Sequence, residues 1–260
     1  MTAETQVSSG STATAGSAPV LEARGVGKHF GAVVALDGVS FRVNAGEVVG
    51  LIGDNGAGKS TLIKVLSGIY KPDEGGLYVD GEPVEFSKPR EAQEAGVETV
   101  YQDLALFDEL SIAANIFAGR EKVTAGGWLQ EKDMRDFTKN LITRLGVGLP
   151  SAKTVVRNLS GGQRQAVALA RAVGFNSRVV LLDEPTSALS KAASEHVLSV
   201  VKDLRKQNLG IIFVGHNLDH VMEVCDRIVV LRQGQIAGEV DKADFSITGL
   251  VSLMVGTAKQ

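Results

Sequence analysis

At 260 residues the chain can bury one substantial core, with or without a subdomain, and its 44% hydrophobic and 22% charged residues are the balance of an ordinary globular protein. No run approaches the roughly 18 apolar residues of a membrane span, so any membrane role is expected to come through a partner. The net charge of -3 carries no basic block, which argues against nucleic acid as a partner, and the single cysteine, Cys225, excludes an internal disulfide framework and fits a reducing compartment.

Residues 1–19 are dominated by Ser, Thr, Ala and Gly, hold no Lys or Arg, and lack the apolar centre of a secretion signal; they read as a disordered tail. From Val20 to Val43 the pattern predicts short strands broken by Gly25, Gly27, Gly31 and Gly38, with Phe30 in the first hairpin. Val48–Ile52 is an apolar run of buried-strand type. Gly53, Gly58, Lys59 and Ser60 then fit G-x-x-x-x-G-K-[ST], and Leu62, Ile63, Val65 and Leu66 follow at helical spacing. Strand, glycine loop and helix in that order suit a phosphate: glycines let backbone N–H groups turn inward, and the positive end of the helix favours an anion.

Leu77–Val79 reads as a strand entering an Asp80-Gly81 turn, which with the first hairpin suggests an antiparallel β layer beside the nucleotide core. From about 91 to 158, helical spacing recurs around Ser111–Phe117 and Met134–Leu145, an expected helical subdomain. Gln102 lies at its start and by itself reads as a surface glutamine.

Leu159–Gln163 spells LSGGQ. Ser160 and Gln163 form a capping box for a helix carrying Ala166, Leu169, Ala170 and Val173. An ordinary cap has no need of Gly161 and Gly162, where glycine costs up to about 1 kcal/mol against alanine, so their backbones are suited to a close approach. Val179–Leu182 reads as a buried strand stopped by Asp183-Glu184-Pro185, which places two carboxylates at the strand end where ligands collect in α/β sheets.

Ala193, Val197, Val200, Val201 and Leu204 mark one helix face, and Ile211–Val214 is a further short strand preceding His216. His216 and His220 stand four apart, but a zinc hydrolase needs Glu directly after the first histidine and this chain has Asn217. Cys225 follows Val221, Met222 and Val224 on an expected core-facing helix. Val229–Leu231 is a late strand ending at Gln233-Gly234, and Val251–Val255 a terminal helix closed by Gly256.

The succession of phosphate loop, LSGGQ and a strand ending in two acids resembles the ATP-binding subunit of an ABC transporter, from about Val20 to about Gly256. The resemblance implies an α/β fold of the P-loop NTPase, ABC ATPase type: a mostly parallel core sheet with an antiparallel β layer and a helical subdomain. It divides the chain into an ATP-binding domain at 20–256 and tails at 1–19 and 257–260.

The resemblance also implies ATP and Mg²⁺. Gly53, Asn55, Gly56, Gly58, Lys59, Ser60 and Thr61 would hold the phosphates; Ser60, Asp183 and Gln102 the metal. Glu184 would act on the attacking water, and His216 on the γ-phosphate. Ser160, Gly161, Gly162 and Gln163 would meet the ATP of a second copy, making the working unit a head-to-tail homodimer. Phe30 would stack on adenine; read from the residues alone, it is equally a core residue of the hairpin.

Segments such as Leu36–Phe41, Ser111–Phe117 and Asn158–Gln165 look like importers of ribose, xylose or fructose. That implies an ATPase peripheral to the cytoplasmic face of the cell membrane, working with separate permease subunits and, indirectly, an external sugar-binding protein. Two residues depart from the wider family, Ser190 where aspartate is frequent and Gly215 where serine is common. The rival readings are a soluble ABC-type ATPase outside transport, a regulatory module that binds nucleotide without hydrolysis, and an importer ATPase for a solute other than sugar.

Overall fold

Residues along Val48–Ile52 alternate between two cores: Val48 and Ile52 belong to one buried cluster, Val49 and Leu51 to another. The same alternation holds for Val179–Leu182, Ile211–Val214 and Ile228–Leu231. Continuous apolar runs of this kind are what a parallel sheet covered on both faces requires, since successive side chains point to opposite sides. Each fully buried aliphatic side chain contributes roughly 1.5–3 kcal/mol.

The structure, a computed structural model, describes residues 18–187 and 189–257. All of the expected N-terminal tail except Ala18 and Pro19, and all of the C-terminal tail except Thr257, lie outside the described residues, as does Ala188.

In chain order the elements are β1 (Leu21–Phe30), β2 (Val33–Val43), β3 (Val48–Ile52), α1 (Lys59–Leu66), β4 (Glu74–Val79), β5 (Glu82–Val84), α2 (Pro89–Glu94), β6 (Val97–Val100), α3 (Ile112–Ile116), α4 (Glu131–Leu145) and α5 (Gly161–Val173). There follow β7 (Val179–Asp183), α6 (Lys191–Lys206), β8 (Gly210–Val214), α7 (Leu218–Val224), β9 (Arg227–Arg232), β10 (Gln235–Asp241) and α8 (Ile247–Val255). Among the described residues these strands form two sheets, one in the order β2-β1-β4-β5 and one in the order β10-β9-β3-β8-β7-β6. The first is antiparallel throughout; the second is parallel except for its β10–β9 edge pair. No helix among the described residues is long and apolar enough to cross a membrane.

Three expectations change. Gly25, Gly27 and Gly38 do not break their segments: β1 runs through the first two, with shifts of register between Ala23 and Val26 and between Val26 and Lys28, and β2 runs through Gly38. Val97–Val100, inside the span expected to be helical, is β6 of the parallel sheet and pairs with β7, so the helical segment is entered only beyond it. After Gln233-Gly234 the chain returns as β10, whose alternation of exposed and half-buried residues is a one-sided edge strand.

Arg227, 8% exposed, ties the layers together. Its guanidinium donates to Glu47 Oε1 at 3.0 Å, to Glu239 Oε2 at 2.9 Å and to the carbonyl of Arg42 on β2 at 2.8 Å. Each of the three guanidinium nitrogens thereby has an acceptor within the protein.

A candidate nucleotide-phosphate site

Four neighbouring parallel strands release their chains at the same edge. Beyond β3 runs the loop Gly53–Gly58, beyond β7 lies Glu184, beyond β8 His216, and beyond β6 Gln102. This is the carboxyl edge of a parallel sheet, where α/β proteins place their ligands.

The loop after β3 is shaped by its walls. A Cβ at Gly53, φ 153°, would lie 2.1 Å from the Leu231 carbonyl, and one at Gly58, φ 107°, 2.7 Å from the Ala35 carbonyl. Only glycine fits either place. Gly234 N–H donates to Ala57 O at 2.9 Å, fastening the loop to the turn after β9.

Lys59 opens α1 and is 6% exposed. Its ammonium donates to Gly53 O at 2.7 Å and to Asp54 O at 3.0 Å. Burial lowers its pKa, against the pull of Glu184, Asp54 and Asp183 nearby. A buried cation held by neutral carbonyls beside a glycine cradle suits an anionic ligand.

Asp183 closes β7 half-buried, and burial followed by the Glu184 charge pushes its carboxyl above the usual range. Glu184 takes the left-handed conformation at φ 52°. For a residue with a Cβ this costs about 1–2 kcal/mol, a local strain of the kind held at functional sites. Its Oε1 lies 2.6 Å from His216 Nε2. Ser187 closes the turn, its N–H and Oγ both donating to Glu184 O, at 3.0 and 2.9 Å. The hydroxyl of Ser60 and the carboxylate of Asp183 are hard oxygen donors, the chemistry Mg²⁺ prefers.

Glu184 and His216 share a cleft of about 250 Å³ with Lys59, Ser60 and Thr61 and with the Asn55–Gly58 stretch of the loop. Its apolar wall is Val33, Val34 and Ala35 at the start of β2, with Val33 65% exposed. The sequence reading missed these valines, because nothing in an apolar strand marks which residues face a cleft. Phe30 pairs with Val33 across the β1–β2 hairpin but does not line the cleft. It is 43% exposed and packs edge-on against Tyr70 with ring centroids 5.2 Å apart, so it is no core residue of the hairpin.

Two expected groups lie elsewhere. Gln102 is exposed beyond β6 and is not among the cleft residues. The loop after it is held by Arg171 of α5, which donates to Leu104 O at 2.7 Å and Ala105 O at 2.8 Å. Ser160 and Gln163 form the reciprocal capping box at the start of α5: Ser160 Oγ accepts from Gln163 N at 3.3 Å, and Ser160 N donates to Gln163 Oε1 at 3.1 Å. A Cβ at Gly162 would lie 2.9 Å from Ala193 Cβ, so its close approach is to α6 of the same chain, whereas a Cβ at Gly161 would meet only Leu189 Cδ2, at 3.6 Å. None of the four shares the cleft around Lys59.

Gly215, the unusual residue before His216, is tightly packed. A Cβ there would stand 3.1 Å from both Phe213 and Val221, so a side chain would have to displace its neighbours.

The ABC transporter family matches residues 36–187 of this chain. The chain is 48% identical over 239 residues to the xylose/arabinose import ATP-binding protein XylG of Sulfolobus acidocaldarius, covering 92% of this chain and 95% of that protein. It is 44% identical over 245 residues to the fructose import ATP-binding protein FrcA of Rhizobium meliloti, covering 92% and 94%. Among solved structures, the ADP conformation of MJ1267, an ATP-binding cassette of an ABC transporter, is similar at a TM-score of 0.79 and 27% identity, over 92% of this chain and 99% of that one. With a match across more than half its length and relatives similar over nearly all of it, the chain belongs to the ABC transporter family.

Proposed function

We propose that this chain is the ATP-hydrolysing subunit of an importer for a monosaccharide, working as a dimer of two copies against separate permease subunits at the cytoplasmic face of the membrane. The observation that carries the hydrolytic part is the shared cleft of Lys59, Glu184 and His216 at the carboxyl edge of the parallel sheet. The sugar part is supported by relatives named for the import of xylose or arabinose and of fructose.

In this reading the backbone of Gly53–Gly58 and the Lys59 ammonium hold the β- and γ-phosphates. Ser60 and Asp183 would hold Mg²⁺, which when bound supplies positive charge at the phosphate oxygens. Glu184 accepts a proton from the attacking water, a role typically worth about 10²–10⁴-fold in rate. His216 holds the Glu184 carboxylate and contacts the γ-phosphate. The base rests against the apolar side of the site, on Phe30 or the Val33–Val34 wall. Ser160, Gly161, Gly162 and Gln163 complete the site of the other copy, which agrees with their lying outside the cleft of their own chain.

The test is uptake. Deleting the gene abolishes entry of one pentose or hexose among labelled ribose, xylose, arabinose, fructose and galactose, while the others enter normally. Parental rates for all five sugars, with ATPase activity intact in the purified protein, would overturn the sugar assignment and leave an ATPase for another solute or outside transport.

A further inference from the structure

Two segments meet twice in this site. The turn Glu184–Ser187 and the stretch His216–His220 touch through Glu184 Oε1 and His216 Nε2 at 2.6 Å, and again through Thr186 Oγ1 and His220 Nδ1 at 3.1 Å. The first contact is open to water, the His216 side chain being 46% exposed. The second is between two half-buried residues, one helical turn along α7 from His216. A contact open to water contributes little by itself, whereas a sheltered hydrogen bond holds its partners in place.

The scaffold around the second contact is rigid on the helix side. Asn217 caps α7 with its Oδ1 accepting from Asp219 N at 3.0 Å and His220 N at 3.3 Å, and Val221 N donates to Asn217 O at 3.1 Å. His216 directly precedes this cap and His220 sits in the first turn of α7, so the backbone positions that carry the two rings are joined through one capped turn. On the strand side, Glu184 N–H donates to Val214 O at 3.0 Å, but its left-handed backbone is a strained conformation that its surroundings must hold.

We propose that His220 is a positioning residue: through Thr186 it holds the Glu184 turn against α7 and thereby sets the geometry of the Glu184–His216 pair. The inference rests on the reading of Glu184 as the group that acts on water. His220 touches neither of the paired residues' reacting atoms, and its effect passes through the Thr186 hydroxyl, which can donate or accept according to the tautomer of the ring.

Thr186→Val keeps shape and removes the hydroxyl; His220→Leu removes the ring nitrogen; His220→Asn returns a polar atom near the Nδ1 position. In ATPase assays on the full chain, Thr186→Val and His220→Leu each lower kcat about tenfold with KM for ATP unchanged within about twofold, because geometry at the reacting centre is lost while phosphate binding is not. The double variant is no slower than either single one, and His220→Asn recovers most of the rate. Wild-type kcat in both single variants, or losses that multiply in the double variant, would overturn the proposal.

A second measurement does not depend on turnover. The ring-nitrogen NMR signals of His216 shift in Thr186→Val, although position 186 makes no recorded bond to that ring. Unmoved His216 signals overturn the proposal whatever the rates. Shifted signals in a protein that hydrolyses no ATP uphold the positioning and sink the ATPase reading instead.

Discussion

His216 Nε2 and Glu184 Oε1 lie 2.6 Å apart although they leave the ends of different strands, β8 and β7. The strands are adjacent and parallel, with Asp183 opposite Val214, so Glu184, one residue beyond β7, and His216, two residues beyond β8, reach the same edge. The carboxylate therefore stands beside an imidazole and shares a cleft with a buried ammonium.

Glu184→Gln tests what that carboxylate does. The amide is isosteric, so fold and ATP binding persist, while turnover falls by about two orders of magnitude or more because an amide is no base. Single-turnover hydrolysis and an ATP-binding titration separate the two effects. Hydrolysis at the wild-type rate would reduce Glu184 to a strand terminus.

Lys59→Ala removes the cation and also strands the buried Gly53 carbonyl, while that of Asp54 still accepts from Ala57 N at 3.1 Å. An unpartnered buried acceptor costs about 1–3 kcal/mol, so a lowered melting temperature accompanies the loss of most ATP affinity. An unchanged affinity in a binding titration would remove Lys59 from the phosphate site.

Much of this site was legible in the sequence because its parts are local. The apolar runs at β3, β7 and β8 stop at Gly53, Asp183 and Gly215, and a candidate site residue lies at or directly beyond each stop. LSGGQ also announced its capping box correctly. What escaped notice was set by packing between segments distant in the chain. Gly162 faces Ala193, the Thr186–His220 bond joins turn to helix, and Val33 with Val34 form a wall only once β2 lies beside the phosphate loop. β6 was absorbed into the helical span because its four residues, including the buried Glu98, lack a pure apolar pattern. Glu98 is paired with Arg120, and that partner too is invisible to periodicity.

Arg171 joins α5 to the loop that follows Gln102, through the carbonyls of Leu104 and Ala105. Arg171→Met keeps the stem and cuts both bonds. Backbone amide exchange across residues 103–106 should speed up about tenfold or more, for a loss of roughly 1.5–3 kcal/mol per charged hydrogen bond in local protection. Unaltered exchange would show that the loop is held by other contacts.

The two glycines of LSGGQ predict opposite outcomes for the same substitution. Gly162→Ala drives a methyl to 2.9 Å from Ala193 Cβ and lowers thermal stability, because α5 and α6 must separate. Gly161→Ala meets nothing closer than 3.6 Å and raises helix propensity, so the isolated chain gains up to about 1 kcal/mol. If the Gly161 backbone also approaches a nucleotide on a second copy, that more stable variant hydrolyses ATP more slowly than wild type. Gain of stability with full activity would confine Gly161 to its own helix.

Ser160→Asp separates capping from contact with a second copy. Aspartate is as good an N-cap as serine, and its charge suits a helix N-terminus, so the bond now accepted from Gln163 N is kept and α5 remains folded. In a dimer closed by ATP, however, the new carboxylate faces the γ-phosphate of the other copy, where like charges repel in a site with little water to screen them. The expected protein is folded, melts near the wild-type temperature, binds ATP as a monomer, and neither dimerises nor hydrolyses. Sedimentation with and without ATP, in the Glu184→Gln background that slows turnover, reads this directly: a dimer in Glu184→Gln alone and a monomer once Ser160→Asp is added. A dimer in both would leave Ser160 as a cap and nothing more, and the second copy would have to meet the nucleotide through other residues.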